Sequence, residues 1–295
     1  MKILVTGANG LLGQKLVALC LKKKIPFLAT SKGSNRNPDC PNEHYAEMDI
    51  TQAEEIRSTF QNHQPSHIIH TAALTDVDRC EREPELCKQI NETATEVLVL
   101  AANEIQAYFM FISTDFVFDG KKGNYQEEDA ISPLSEYGRS KARGEAYVQS
   151  YSRFGWSIVR TIIVYGVGHA LSRSNVIVWA KGALQRGDSI QIIDDQFRAP
   201  SYAEDLAAGC IGIIEHKEEG IFHVAGPETL SIFEIVERIA EHYGYSMEHV
   251  TRISSAMLNQ PAMRPPRTGF DLSKAYQRIH YKPHTLEQTL DFMFS

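Results

Sequence analysis

Along the first half of the chain, short continuous apolar runs alternate with longer stretches in which apolar positions recur every three or four residues. The runs are KILVT at 2–6, PFLAT at 26–30, HIIHTAA at 67–73 and AYFMFIS at 107–113. The helical-period stretches begin at about residue 11, near 52–62 and near 86–104. Strands without polar alternation, separated by helices, belong to a parallel sheet covered on both faces. The pattern therefore predicts a doubly wound α/β fold. A helix over about 135–152 and the run WSIVRTIIVYG at 156–166 continue it. Beyond 166 the rhythm loosens into helices near 173–186, 202–215 and 231–243, with proline punctuation in QPAMRPPRTG at 260–269. We expect a sheet domain over residues 1–165 and a smaller α/β domain over 166–295, with the segment around 190–224 a candidate to return to the first sheet.

Composition narrows the function classes. With 43% hydrophobic and 23% charged residues, the 295-residue chain can bury one large core or two unequal ones. The net charge of −7 includes no long single-sign run, and the basic cluster Lys22–Lys24 closes a helical stretch as a solvated face. Nucleic acid is not an expected partner. Five cysteines (Cys20, Cys40, Cys80, Cys87, Cys210) are odd in number and form no C-x-x-C pair, which argues for a reducing compartment over a disulfide framework or structural zinc. The apolar run after Lys2 is too short for a signal segment, and none approaches the ~18 residues of a membrane span. We expect a cytoplasmic protein without a membrane partner.

The first strand runs directly into TGANGLLGQ, where Gly7, Gly10 and Gly13 recur at intervals of three and a helix opens behind them. Glycines so placed serve a tight turn, close approach of backbone to a pyrophosphate, and close helix-to-strand packing; the helix N-terminus offers free N–H groups to the anion. Strand, loop and helix in this order predict a dinucleotide site of Rossmann type, with Asn9, Leu11 and Leu12 lining the same loop. NAD sites place a carboxylate near the end of the second strand. Here FLATSKGSNR (27–36) has none before Asp39, whereas Ser31, Lys32 and Arg36 could receive a 2′-phosphate. NADPH is the expected cofactor, with NADH the alternative. Asp49 and Ile50, after the third strand, are candidate adenine contacts; for Asp49 the competing role is capping the next helix.

At the end of the fifth strand, Ser113, Thr114 and Asp115 fall at the carboxyl edge of the sheet, where doubly wound folds bind ligands. Tyr137 and Lys141 follow in EYGRSKARGE, one helical turn apart on one face. A Tyr-x-x-x-Lys pair alone recurs by chance, but beside a hydroxyl and a nicotinamide it makes chemical sense. Reducing a carbonyl creates an alkoxide that must be held by a donor and protonated. An ammonium about 4 Å from a phenol contributes on the order of 4 kcal/mol at an effective dielectric near 20, roughly three pKa units toward phenolate. Lys141 is thus expected to lower Tyr137 and to grip the nicotinamide ribose.

Together TGANGLLGQ, HTAALTDVDRCE (70–81), ISTDFVFDG (112–120), EYGRSKARGE and VRTIIVYG (159–166) resemble the extended short-chain dehydrogenase/reductases, most closely the dTDP-4-dehydrorhamnose reductase family. DDQFRAPSYAEDLA (194–207), FHVAGPE (222–228) and RPPRTGFDLSKA (264–275) extend the resemblance over nearly the whole chain. It implies a nucleotide-sugar reductase whose C-terminal domain binds substrate, with Thr114, Tyr137 and Lys141 catalytic and Ala72 and Ala73 beside the cofactor. Asn91 matches the family's helical Asn, the alternative being a side chain bonded to backbone. Thr75, Val77 and Asp115 would face the sugar. Phe116 stands where the family commonly has Tyr and Ile163 where it has Trp, so two sugar-contacting positions depart. Arg198, Arg264 and Arg267 could bind a substrate pyrophosphate through bidentate hydrogen bonds or serve as inter-domain ion pairs. Some reductases of this type use Mg²⁺ at a dimer contact; no metal-ligand spacing names ligands here, and a homodimer stays an open expectation.

Three rivals share the fold. A nucleotide-sugar 4,6-dehydratase, by family resemblance, carries a Glu after the threonine and its acid; Thr114-Asp115-Phe116 lacks it. An epimerase-reductase would want a Cys near the same strand end, and none lies between residues 88 and 209. A non-catalytic NADP-binding regulator, like the β-subunit of methionine adenosyltransferase, remains in a different class. The intact Thr114, Tyr137 and Lys141 favour the reductase.

Overall fold

A computed structural model describes residues 1–294. The first half runs β1 (Ile3–Thr6), α1 (Leu11–Lys23), β2 (Phe27–Ser31), β3 (Tyr45–Glu47), α2 (Ala53–His63), β4 (His67–His70), α3 (Val77–Arg82), α4 (Pro84–Lys88), α5 (Ala94–Glu104), β5 (Tyr108–Thr114), β6 (Gly123–Tyr125), α6 (Glu136–Tyr151) and β7 (Trp156–Thr161). The second half runs β8 (Val164–Tyr165), α7 (Val176–Arg186), β9 (Ile190–Ile193), β10 (Phe197–Arg198), β11 (Ser201–Tyr202), α8 (Ala203–Glu215), β12 (Gly220–His223), β13 (Leu230–Ser231), α9 (Ile232–Tyr243), β14 (Val250–Ile253), β15 (Thr268–Phe270), α10 (Ser273–Ile279) and α11 (Leu286–Met293).

Seven parallel strands form the central sheet in the order β12-β7-β5-β4-β1-β2-β3. This is the doubly wound, Rossmann-type sheet. Along β1, Ile3 and Val5 enter the core shared with Leu16, Val17 and Leu206 of α1 and α8, while Leu4 enters the opposite one with Ile56, Phe60 and Leu98. Because successive strand residues face opposite ways, only an apolar strand can supply both cores. The strand order reverses between β1 and β4, which opens a crevice at their carboxyl ends.

Three boundaries differ from expectation. The helix anticipated near 86–104 is interrupted: Pro84 opens α4, and a π-helical turn over Gln89–Thr93 precedes α5. The Asn91 side chain, pinned to the Leu74 backbone, sits in that turn. The run at 156–166 breaks after β7 because Ser201 takes both carbonyls at the bend, its N–H donating to Ile162 and Ile163 O at 3.1 Å each. In the segment around 190–224, α8 and β12 return to the main sheet, but β9 does not. It pairs in parallel with β14, and its Ile192 is buried in a third core with Ile177, Leu184, Phe233 and Ile239.

Two imidazoles are sealed in the interior, one against each face of the sheet. His223 stacks on Phe270 with ring centroids 3.9 Å apart, and its Nε2 is buried without a hydrogen-bond partner. Burial first, then Arg160, pulls its pKa from 6.5 to about 3. His70, held between the Thr6 and Thr95 hydroxyls, is likewise pulled to about 3 by burial and then by Lys141. Between those values the unfolded chain binds protons that the folded one refuses, so this stability is full above about 6.5 and drains as pH falls toward 3. We predict that an imidazole titration by NMR keeps both rings neutral from pH ~7 down to ~4.5; midpoints near 6.5 would contradict the burial.

Candidate active site

The loop between β1 and α1 is built on close backbone contact. Gly7 has φ +68°, and a Cβ there would lie 2.7 Å from Ala72 N; a Cβ on Gly13 would lie 2.4 Å from Gly7 O. Gly10 caps α1 without a side-chain hydrogen bond, and no acidic residue occupies the first turn. The helix thus starts with its N–H groups open to an anion. Leu12 packs inward and Leu11 is half-buried. Ala72 and Ala73 are half-buried just past β4, with Ala72 N donating to Thr6 Oγ1 at 3.3 Å.

Several expected cofactor contacts are already engaged with protein. Asn9 donates to Ser34 O at 2.9 Å and accepts from Arg36 N at 2.8 Å, and its own N–H donates to Ser31 Oγ at 3.0 Å. Asn9 and Ser31 therefore bind the glycine loop to the turn after β2. Lys32 pairs with Asp49 at 2.8 Å, while Asp49 Oδ1 also accepts from Thr51 N and Oγ1. Burial pushes Asp49 up, but these hydrogen bonds outweigh it and hold the carboxyl below the usual range. Asp49 thus shapes the turn before α2 and neutralises Lys32. Ile50 packs against the Leu4 core, and Arg36 is exposed, donating to Ala170 O at 3.3 Å.

Ser135 caps α6 through the Gly138 N–H at 3.2 Å, which sets the phase of the helix. Gly138 is where α6 meets the turn after β5, for a Cβ there would lie 2.3 Å from Phe116 O. Tyr137 and Lys141 both face inward, at 8% and 3% exposure. The Thr114 hydroxyl lies near enough to the Tyr137 phenol to act on its pKa, and its Oγ1 donates to Asp115 Oδ1 at 3.1 Å and accepts from Phe116 N at 3.2 Å. Lys141 Nζ sits 3.9 Å from the Phe111 ring centroid, with no hydrogen bond among the described residues. The expected lowering of Tyr137 by Lys141 is not found. Burial raises the phenol, Thr114 offsets part of that, and Asp115 raises it further. Lys141 itself is pulled down to about 7 by burial, against the pull of Glu145. Its ammonium rests on an aromatic face rather than on the phenol.

Behind this pair lies a network that the sequence reading missed. Ser113 Oγ donates to Glu145 at 2.5 Å, and Arg160 forks onto the same carboxylate at 2.9 and 2.7 Å. Glu145 follows Lys141 by four residues, and Arg160 is a lone charge in an apolar strand; those were the available signals. Ser113, expected beside the cofactor, is committed here. Asn91 is committed too, donating to Leu74 O at 3.0 Å and Ser140 Oγ at 3.1 Å and accepting from Leu74 N at 2.8 Å. Its side chain takes the backbone-bonding alternative.

On the expected sugar side, Thr75 is exposed, and Val77 and Phe116 pack against Tyr137, the Phe116 ring meeting it edge-on at 5.6 Å. Asp115 is buried, accepting from Thr268 Oγ1 at 2.5 Å with Arg198 Nε at 3.6 Å; burial raises it, and Arg198, Thr268 and Thr114 pull back. Arg264 forks onto Asp78 at 3.1 and 2.8 Å. Arg198 and Arg264 therefore take the ion-pair alternative, because each already faces a carboxylate. Arg267 remains exposed over the Phe197 ring, 4.2 Å from its centroid. Ile163, two residues past β7, has φ +32°. Among the described residues, no His, Cys, Asp and Glu group could hold a metal ion, and no helix is long and apolar enough to cross a membrane.

Residues 1–295 match the family model described as the RmlD substrate binding domain. The chain belongs to that family. It is thus an oxidoreductase of the dTDP-4-dehydrorhamnose reductase type. It is 32% identical to a probable low-salt glycan biosynthesis reductase, Agl14, of Haloferax volcanii, over 97% of this chain and 95% of the relative. It is also 29% identical to the methionine adenosyltransferase 2 β-subunit of Danio rerio, over 92% of this chain and 83% of the relative. A dTDP-4-dehydrorhamnose reductase from Clostridium acetobutylicum superposes with a TM-score of 0.86 at 27% identity, covering 100% of this chain and 98% of the other. One from Bacillus anthracis, solved with NADP, gives 0.83 at 26%, covering 99% and 98%.

The glycine contacts of this RmlD-family loop make a prediction. Gly13→Ala sets a methyl against two backbone atoms, 2.4 Å from Gly7 O and 2.6 Å from Ala8 Cα, so the loop and α1 must part. Dinucleotide affinity, read by fluorescence titration, should fall more than about tenfold, or about 1.4 kcal/mol. Gly182→Ala, whose methyl meets only the flexible end of Arg186 at 3.2 Å, should leave affinity unchanged and raise helix stability by about 0.5–1 kcal/mol.

Proposed function

We propose that the protein reduces the 4-keto group of a nucleotide-linked 4-keto-6-deoxy sugar with NADPH, taking dTDP-4-dehydrorhamnose to dTDP-rhamnose. The observation that carries this reading is the placing of Thr114 near the Tyr137 phenol at the carboxyl edge of the sheet, one strand from the crevice at β1 and β4, with Lys141 buried one turn along the same helix. The turn through Gly7, Gly10 and Gly13, packed so closely that a Cβ at Gly7 or Gly13 would meet backbone at 2.7 or 2.4 Å, leads into the open N-terminus of α1, which suits the pyrophosphate of a dinucleotide. Bound NADPH supplies the hydride. The absence of a carboxylate at the end of β2 and the exposure of Arg36 favour the 2′-phosphate, and the Bacillus anthracis relative was solved with NADP.

In this reading Thr114 orients the substrate carbonyl oxygen by a hydrogen bond and Tyr137 delivers the proton to it. A raised phenol stays protonated throughout the neutral range, as a donor must. Lys141, buried and without a hydrogen bond among the described residues, is free to take the ribose hydroxyls of the nicotinamide. Phe116 gives the sugar an apolar wall, and Arg267 is the arginine of the three left to meet the substrate phosphates. The 29% likeness to the methionine adenosyltransferase β-subunit, together with Phe116 and Ile163 at departing positions, supports a second reading as an NADP-binding regulator.

Following NADPH absorbance with dTDP-4-dehydrorhamnose separates the two. The reductase reading expects turnover that falls about 10²-fold or more in Tyr137→Phe. Tight NADPH binding without turnover on any dTDP- or GDP-linked 4-keto-6-deoxy sugar would replace it by the regulator. The pH profile is a further test. Lys141 is cationic below about 7 and loses its charge above it, while Tyr137 stays protonated, so kcat/KM for reduction should decline as pH rises through about 7. A decline only near pH 10, the ordinary tyrosine range, would contradict that assignment.

A further inference from the structure

Residues 166–175 leave β8 and enter α7 as a closed loop: Asn175 caps α7 by accepting from Val178 N at 3.1 Å, and its Nδ2 donates to Gly166 O at 2.8 Å. A loop whose ends meet in this way is a compact unit of the Ω type. Among the described residues, 167–174 form no backbone-to-backbone hydrogen bond, so side chains from elsewhere position the loop. The chief of these is Gln14, 155 residues away in the first turn of α1. Its buried amide is shared between two segments. Nε2 donates to Asn9 O in the glycine loop at 3.0 Å and to His169 O at 2.8 Å, while Oε1 accepts from His169 N at 2.8 Å. Both donor hydrogens and one acceptor position of the side chain are thus engaged.

The remaining ties run to the neighbouring strand ends. After β2, Arg36 donates to Ala170 O at 3.3 Å and Asp39 faces His169 Nε2 at 3.4 Å; after β4, Asp76 faces Arg173 Nη1 at 3.4 Å. In the sheet these strands stand side by side as β4-β1-β2, so the loop is attached behind three successive carboxyl ends and spans the crevice between them. A dinucleotide seated with its pyrophosphate at α1 follows the same line. The outer ties are exposed and individually weak, whereas the Gln14 contacts are buried.

We propose that residues 166–175 are a further wall of the nicotinamide dinucleotide site, held across it by Gln14 as a positioning residue, and that this clamp parts each time the cofactor leaves. Parting it takes three hydrogen bonds from a buried amide, which makes opening costly. Once Gln14 lets go, only the exposed ties remain, and the loop has no backbone ladder to hold it. Gln14 therefore sets the residence time of the cofactor. Losing the clamp speeds entry and release together, and release more, because the contacts between loop and bound dinucleotide are lost as well. This role rests on dinucleotide binding at the glycine loop, as the reductase reading does, and not on turnover.

The full chain is loaded with NADPH, which is chased by excess NADP⁺ while its fluorescence is followed by stopped flow; amide exchange over 166–175 is read by mass spectrometry with and without NADPH. We expect NADPH to slow exchange in this segment by about fivefold or more. Gln14→Leu keeps the bulk and removes the amide, and should raise the release rate by about fivefold or more, with a smaller rise in association. Gly168→Ala, whose methyl would come 3.0 Å from Gln14 Oε1, alters the loop and not α1, and should raise release by about twofold or more. Lys15→Ala removes only the 2.7 Å pair with Glu204 from the next position of the helix and should leave release unchanged. Saturable NADPH binding with unaltered exchange over 166–175, or with unaltered release in both clamp variants, would overturn the wall and leave the reductase reading standing. Release raised as much by Lys15→Ala as by Gln14→Leu would overturn the clamp in favour of a general loosening of α1. A chain that binds neither NADPH nor NADH would overturn the wall together with the reading on which it rests.

Discussion

A buried carboxylate joins the two halves of the molecule at the point where the chemistry is proposed. Asp115 follows Thr114 directly, contacts its hydroxyl, and takes its other partners from far along the chain: Thr268 on β15 and Arg198 on β10. An unpaired charge in this position would cost several kcal/mol, and removing one partner of a buried pair typically costs about 3–5 kcal/mol. The C-terminal half is therefore a condition for the geometry at Thr114. The bidentate pair of Arg264 with Asp78 makes a second tie, from the same C-terminal segment to α3. Two arginines that look like anion binders in the sequence instead hold that half in place.

The same burial decides the protonation of the proposed catalytic pair. Coulomb's law alone favours a phenolate beside an ammonium, by roughly 4 kcal/mol at 4 Å in a medium of effective dielectric near 20. In this site the ammonium lies over the Phe111 ring, neither group's shift is owed to the other, and desolvation acts on each, raising Tyr137 and lowering Lys141. The outcome suits reduction better than the expected one, since a proton donor is needed and a phenolate has nothing to give. The Glu145, Arg160 and Ser113 network lies on the far side, joining α6, β7 and β5 by charged hydrogen bonds and keeping the helix in phase with the strand end.

The central sheet was legible because a strand buried on both faces must be continuously apolar, and Ile3, Leu4 and Val5 serve two cores in succession. The glycine loop was legible because backbone contacts at 2.4 to 2.7 Å from a would-be Cβ tolerate only one residue type. Partners were harder. Ser113, Asn91, Lys32, Asp49, Arg198 and Arg264 have the right chemistry for ligands, and nothing local reveals that each meets a protein group first. Asp78 and Arg264 lie 186 residues apart, beyond the reach of any periodicity.

Ile163 shows how such long-range constraints reach the backbone beside the site. A β-branched residue at φ +32° is strained, by about 1–3 kcal/mol, and persists only where its surroundings over-determine it. Ser201 does so: its N–H holds the Ile162 and Ile163 carbonyls, and its hydroxyl donates to Ile162 O at 2.7 Å. The bend turns the chain out of β7 beside the end of β5, where Thr161 stands opposite Thr114. A side chain at 163 is thus aimed by the backbone, whatever its identity. The family's Trp and this chain's Ile would occupy the same imposed direction with very different bulk. Ile163 itself packs against the core of Ile3, Val5 and Leu16, a cluster separate from the one around Tyr137, so a change of bulk at 163 is felt first in that core and leaves the contacts of Tyr137 in place.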